Sequence, residues 1–268
     1  MTTQLLIIFV LTVLVHTIDT SAYAARLAGV RTGHPALASS LYHVLALGSK
    51  VAHALAGPLL ASLTDLAVLE QNTGSLLGVY RIVVLAASVG TVIAALGIPS
   101  LSRILARGIA SYETRRSLPQ VVVRGASVQG LWRMTSDLTP PRLGAVRESR
   151  RSPFRKRFLI ASVLVTAISA VSNAAAMYAS ALVPEGARTA TSLSPMLAGC
   201  GLVLSIFVVN PVAALITDEA LREQRPLKDV TYITIWQVGA QLIGTLAAQL
   251  LLWPAGQAIA IVTRWLVV

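Results

Sequence analysis

Apolar residues gather along the chain in six runs of about 20 residues, parted by short polar breaks and one long one. The runs cover Leu5–Ala25, Pro35–Leu60, Leu76–Ile98, Phe158–Leu182, Leu193–Ile216 and Val230–Trp253. Runs of this length cross a bilayer as helices, and they lack the strict alternation that a membrane barrel requires. The expected fold is therefore all-α: a polytopic membrane protein of about six transmembrane helices. Asn210-Pro211 predicts a kink near the end of the fifth run, and Pro254 predicts a bend after the sixth, before a short apolar tail. The first run reads as a retained helix rather than a cleaved signal, because no basic leader precedes it and ionisable residues follow within it.

Polar positions inside the first two runs do not scatter. At 100° per residue, His16, Asp19, Tyr23 and Arg26 fall within a sector of roughly 80°, and Ser39, His43, Lys50, His53 and Gly57 fall within another. Charge at bilayer depth is expensive, so two such stripes on consecutive helices predict that they face each other or a shared wet cavity. If the helices pack about a turn near Arg31, Asp19 is expected level with His43, His16 one turn from the level of Lys50, and His53 farther out. That yields a ladder of cations from Arg31 and Arg26 at one rim to Arg81 at the end of the third run, opposed only by Asp19. The alternative is structural: Arg26 and Arg31 anchor the helices, and Lys50 pairs with Asp19 for packing. Ser162, Thr166, Ser169, Asn173 and Ser180 form a stripe on the fourth run, and Gln237, Gln241 and Gly244 one on the sixth. This spacing favours close helix packing with interhelical hydrogen bonds over cavity lining.

Charge fixes the expected orientation. Of 22 basic residues in this 268-residue chain, 13 lie between Pro99 and Arg157, together with three acidic ones. The positive-inside rule makes that segment a long basic cytoplasmic loop, places Arg26, Arg31, Arg222, Arg225 and Lys228 on the same side, and puts both termini outside. The organisation is then 1–98 with helices one to three, 99–157 as the basic loop, and 158–268 with helices four to six. Leu101, Ile104, Leu105, Ile109 and Tyr112 share one helical face, so the third helix is expected to continue along the inner leaflet, with anionic membrane lipids as partners. From Ser117 to Ser152 the loop is expected to be largely irregular. No recognition motif accompanies the charge, so nucleic acid is not an expected partner. Glu185 and Arg188 sit in a short outer loop, placed to pair or to meet a headgroup.

Other chemistry finds no foothold. A single cysteine, Cys200, excludes an internal disulfide. His16, Asp19, His43 and His53 are zinc-ligand types, but the expected depths separate them and no H-E-x-x-H motif occurs, so no metal or other cofactor is expected. Neither G-x-S-x-G nor a P-loop appears, which argues against an enzyme.

Several separate segments resemble one family. They are His16 with A-Y-A-A-R-L-A-G-V-R-T at Ala22–Thr32, G-P-L-L at Gly57–Leu60, and Arg81 with Gly90-Thr91. They continue with M-Y-A-S-A-L-V-P-E-G-A-R-T-A-T-S-L-S at Met177–Ser194, I-T-D at Ile216–Asp218, G-T-L-A-A-Q at Gly244–Gln249 and Pro254-Ala255. In these the chain is similar to the Amj lipid II flippases, an alternate route to the MurJ-type flippase of bacterial wall synthesis. It departs from the pattern at His43 and His53, usually Asn, at Lys50, usually Arg, and at Asn210, usually Asp. The resemblance implies a multipass protein of the bacterial cell membrane that moves undecaprenyl-diphosphate-linked disaccharide-pentapeptide to the outer leaflet. Its expected substrate path is His16, Asp19, Tyr23, Arg26, Arg31, His43, Lys50, His53, Arg81, Glu185 and Arg188. Rival readings are a transporter of a small anionic solute or ion and a non-transporting scaffold. Self-association into a homo-oligomer stays open.

Overall fold

In a computed structural model the described residues are 2–117, 120, 123, 127, 139–140, 143–150 and 156–267. Among them every regular element is helical, and six stretches are long and apolar enough to cross a membrane. Span one is α1 (Thr2–Thr20) followed by α2 (Ala22–Thr32); span two is α3 (Pro35–Leu69); span three is α4 (Leu76–Arg115). A short helix, α5 (Leu143–Ser149), precedes span four, α6 (Lys156–Leu182). Span five comprises α7 (Ala187–Ser192), α8 (Ser194–Leu204), a π-helical segment Ser205–Val209 and α9 (Asn210–Leu221); span six is α10 (Leu227–Val267). Both termini lie at one end of the bundle, here the terminal end. The 33–34 turn, the C-terminal end of α4 and the 222–226 turn lie at the other, the loop end.

Local chemistry sets the joints. Thr20 and Ser21 turn their hydroxyls back onto the carbonyls of His16 and Thr17, a pattern that bends helices and here separates α1 from α2. Gly33 closes α2 at φ 75°, a left-handed conformation that suits glycine, and Pro35 starts α3 in its first turn. Span five absorbs Pro211 differently from a plain kink. The proline has no N–H to give, and the chain widens to π geometry in the preceding turn, Ser205–Val209. Pro99 and Pro254 lie inside unbroken helices, so α10 runs on to Val267 instead of ending in a separate tail.

The extension of α4 differs from expectation. Leu105 and Ile109 are buried against Phe158, Ala213, Ile216 and Ile233, with Leu101 and Tyr112 packed beside them. This face meets protein rather than lipid, packed among residues of α2, α6, α9 and α10. The stretch expected to be irregular falls largely outside the described residues. Its described part, α5, docks on α10: Tyr232 donates to Glu148 at 2.8 Å and the Trp236 indole donates to the Ser149 carbonyl at 2.9 Å.

Two apolar cores result. One, toward the terminal end, joins Ile8, Leu63, Leu76, Tyr80, Val171 and Leu252; the other, toward the loop end, joins Leu27, Leu41, Ile109, Phe158, Ile216 and Ile233. Between them the helices are joined by polar links: Thr17 to the Gly90 carbonyl (3.2 Å), Gln241 to Thr20 (2.8 Å) and Ser88 to Thr245 (2.9 Å). Close approach makes the links reachable. A Cβ on Gly90 would lie 2.5 Å from the Val13 carbonyl, and one on Gly244 would lie 2.6 Å from Thr166 Cβ.

Gly90→Ala is therefore expected to push α1 off α4 and to cost about 1–3 kcal/mol, read as a lower melting temperature in detergent. Gly97→Ala, seven residues on and with nothing within 4 Å of the added carbon, should be neutral or slightly stabilising. Equal melting temperatures for the two variants would show that the α1–α4 contact is not tight.

Candidate functional site

The stripe of span one lies between two contacts. On one side Ile18 and Asp19 meet α3; on the other Thr20 meets α10. His16 and Tyr23 are left half-buried and Asp19 exposed, on the floor of a groove. α3 forms one wall. It packs on α1, α2, α4 and α6, whereas span five packs on α6, α10 and α2, so α3 and span five leave a side open between them. Exposed His43, Lys50 and His53 lie on α3, and exposed Ser169 and Asn173 on α6; exposed Asn210 follows the π segment. All of these are within spans.

The partners differ from those expected. Asp19 accepts a hydrogen bond from Ser49 at 2.8 Å, and among the described residues no ion pair joins it to Lys50. The register between spans one and two is thus displaced from the expected one, which set Asp19 opposite His43. The bend at Ser21 and the tight turn, where Gly29 lies against Pro35, are responsible. His43 meets residues of its own helix, Ser39 at 3.4 Å and the Tyr42 ring at 5.8 Å between centroids. His16 and His53, expected at separate depths, line one cavity of about 100 Å³ together with Ser169 and Asn173. Asn173 Nδ2 stands 3.0 Å from His53 Nε2, and Ser194 at the start of α8 donates to Asn173 Oδ1 at 2.5 Å.

Arg26 stacks its guanidinium 5.9 Å from the Tyr23 ring centre and donates to the buried Gln237 amide oxygen of α10. Arg31 donates to Ser102 of α4 at 3.0 Å. Arg81 is exposed on α4, and its carbonyl accepts from Gln249. Glu185 and Arg188 are both exposed, and no ion pair joins them among the described residues. The groove floor therefore gathers His16, Asp19, Tyr23 and Arg26, with His43, Lys50 and His53 on its wall. Arg31 marks the loop end, while Arg81, Glu185 and Arg188 stand apart. Ser49 and Ser194 escape a reading from sequence, since a lone serine in an apolar run carries no signal. Asn173 and Gln237 do carry one, an amide at bilayer depth.

At the loop end a cavity of about 560 Å³ opens between Gly33 and the 222–226 turn. Arg225 spans Glu219 (2.8 Å) and Asp229 (3.3 Å) there, and its hydrogen bond to Glu219 raises the guanidinium pKa further. A smaller cavity beside it is lined by Arg31 and Lys228. Among the described residues no group of three metal-ligand side chains converges.

A double-mutant cycle separates the two possible partners of Asp19. Asp19→Asn and Ser49→Ala should couple by about 0.5–1.5 kcal/mol in thermal stability, whereas Asp19→Asn and Lys50→Gln should add. Coupling in the second cycle and additivity in the first would restore the Asp19–Lys50 pair.

No solved structure matches the chain. Among curated proteins, "Lipid II flippase Amj" of Bacillus subtilis (strain 168) is 30% identical over 266 residues, covering 98% of both chains. The family model described as "Amj: Alternate to MurJ" matches residues 11–263. That match reaches into all six spans, and the chain belongs to the Amj family.

Proposed function

We propose that this protein is a lipid II flippase, which carries the undecaprenyl-diphosphate glycopeptide from the inner to the outer leaflet of the bacterial cell membrane. The full-length similarity to a lipid II flippase supports the substrate. The observation that carries the mechanism is the groove, polar on its floor and open to the side between α3 and span five. A polyprenyl diphosphate needs two surfaces at once: a hydrated, cationic path for its headgroup and continuous access to lipid for its tail. His16, Tyr23 and Arg26 on the floor and His43 and Lys50 on the wall supply the first. The exposed apolar residues Leu47, Val51 and Leu55 on α3, with Ile206 and Phe207 on the π segment, border the second.

Lys50 meets the diphosphate as a point charge, and Arg26 presents a planar fork to it. Arg31 and Lys228 flank the entry at the loop end. The basic segment 99–157 faces the cytoplasm, where each cation near the surface gains about 1 kcal/mol from anionic lipid. Both termini are then external. Catalysis in the enzymatic sense is not involved, since no bond is made or broken as the lipid crosses.

Two experiments test this reading. Cells depleted of their lipid II flippases should grow on the wild-type chain and on Lys50→Arg. Lys50→Met should accumulate in the membrane yet flip about tenfold more slowly, or worse, as one charge-assisted contact of about 1.5–3 kcal/mol is lost in the crossing state. Normal growth on Lys50→Met would move the headgroup path elsewhere. For orientation, in a Cys200→Ser background, a membrane-impermeant thiol reagent should label Glu185→Cys in intact cells and Gln224→Cys only after lysis; the opposite result inverts the path.

A further inference from the structure

The two cavities at the loop end share a wall. Val30 of α2 and Leu227 of α10 line both the one of about 560 Å³ and the one of about 230 Å³. The smaller is cationic. Its charged liners are Arg31 of α2 and Lys228 of α10, and the others, Leu27, Val30 and Val230 among them, bring no carboxylate. The acids nearest in the chain are engaged elsewhere: Glu219 and Asp229 close on Arg225 at 2.8 and 3.3 Å. Among the described residues Lys228 enters no ion pair. The bond from Arg31 to Ser102 of α4 fixes that side chain on the wall.

The larger cavity is lined differently. Glu223, Gln224 and Arg225 of the 222–226 turn lie across it from Val30 and Gly33. Arg225 is neutralised by its two acids, whereas Glu223 enters no ion pair among the described residues. A carboxylate and an amide here repel a further anion and accept hydrogen bonds from hydroxyl and amide groups. The two cavities together thus suit an elongated ligand, anionic at one end and neutral but hydroxyl-bearing at the other.

We propose that the paired cavities are a docking site for a lipid-linked diphosphate sugar at the loop end, where Arg31 and Lys228 hold the phosphates and the Glu223–Gln224 turn meets the adjoining sugar. The lipid II reading supplies the identity of this ligand and the orientation of the site; the geometry supplies its chemical class. Arg31 offers a planar fork and Lys228 a point charge, and the apolar walls of Leu27, Val30 and Val230 strengthen both attractions by excluding water. The turn is held in shape beforehand: Glu223 stands at a left-handed φ of 60°, and Arg225 bonds to residues on both sides of it. The site also adjoins the groove. Val30, common to both cavities, follows Arg26 by one helical turn on α2, about 6 Å along the axis. A headgroup held there is loaded next to the floor on which it would cross.

The test is native mass spectrometry of the full-length protein in detergent, titrated separately with lipid II, phosphatidylglycerol and inorganic diphosphate. Lipid II should bind most tightly, and Lys228→Met and Arg31→Gln should each weaken it about tenfold through loss of a charge-assisted contact. Thr231→Trp, which fills the smaller cavity without changing charge, should weaken it as much. Arg222→Met removes a cation from the same turn that lines neither cavity, and should leave the affinity unchanged. Equal losses with Arg222→Met and Lys228→Met would replace the pocket by a diffuse positive surface and overturn the proposal. Lipid II affinity that survives both Lys228→Met and Thr231→Trp overturns it too, and leaves the lipid II reading standing. Phosphatidylglycerol or inorganic diphosphate binding as tightly as lipid II refutes the sugar contact. Inorganic diphosphate binding that depends on Lys228, with no binding of lipid II, sinks the lipid II reading instead and keeps only the phosphate contacts. Lys228 and Thr231 carry these outcomes even if Arg31→Gln, which loses the Ser102 bond, fails to fold.

Discussion

Hydrocarbon offers no hydrogen bonds, and this one constraint orders the bundle. A polar side chain at bilayer depth must find a partner within the protein or reach water. Among the described residues only the hydroxyls of Thr234 and Thr263 are buried without one. The rest are satisfied in two ways that have different consequences. Thr17, Thr20, Ser88, Gln241 and Thr245 bond across helix interfaces and are sealed between the two apolar cores. They lock α1, α4 and α10 together, with Gly90 letting α1 close on α4, while Gly244 lets α10 close on α6. Asp19, His43, Lys50 and His53 are not sealed; they are exposed.

That division separates a rigid body from a movable one. α4, α6 and α10 are fastened by small residues and cross-helix hydrogen bonds, with α1 held against α4 by the same means. α3 has a looser attachment on its groove side, where polar contact with α6 passes through His53 and Asn173 alone among the described residues. Span five carries its own weak point, the π segment before Pro211, in which the regular hydrogen-bond ladder is already disturbed. On its other side α3 is held to α1 through Gln4 and Asp19 and to α4 through Thr64 and Tyr80.

The sequence shows some of this clearly and hides the rest for definable reasons. Six spans are legible because a helix in lipid needs apolar length, and nothing subtler decides it. The stripes on spans one and two are legible as periodicities, and the structure does gather His16, Asp19, Tyr23 and Arg26 on one surface. What fails is register. An antiparallel pair read from a single turn carries any bend forward, so the hydroxyls of Thr20 and Ser21 bonding back to their own helix shift every later pairing. Asp19 therefore meets Ser49, and His16 meets the cavity of His53. The extension of α4 fails differently. An amphipathic face shows that something apolar covers it but not whether that is lipid or protein, and here residues of α2, α6, α9 and α10 provide the cover.

Asp19 carries the argument one step further. An ionised carboxylate with one hydroxyl donor, at this depth, is poorly compensated by protein alone. Ser49 supplies one bond where a carboxylate accepts several, and among the described residues no ion pair closes on it. Its charge is tolerable only if the groove is wet, and a wet groove beside lipid is stable only if its walls keep water from spreading. The apolar borders on α3 and the π segment do that, while Lys50 and Arg26 keep the local charge from becoming net negative. The same arrangement that would make one acid tolerable within the membrane is the one that the proposed diphosphate path requires. Asp19 therefore sets a condition on the proposed path: a headgroup taking that route must pass a carboxylate and displace its hydration.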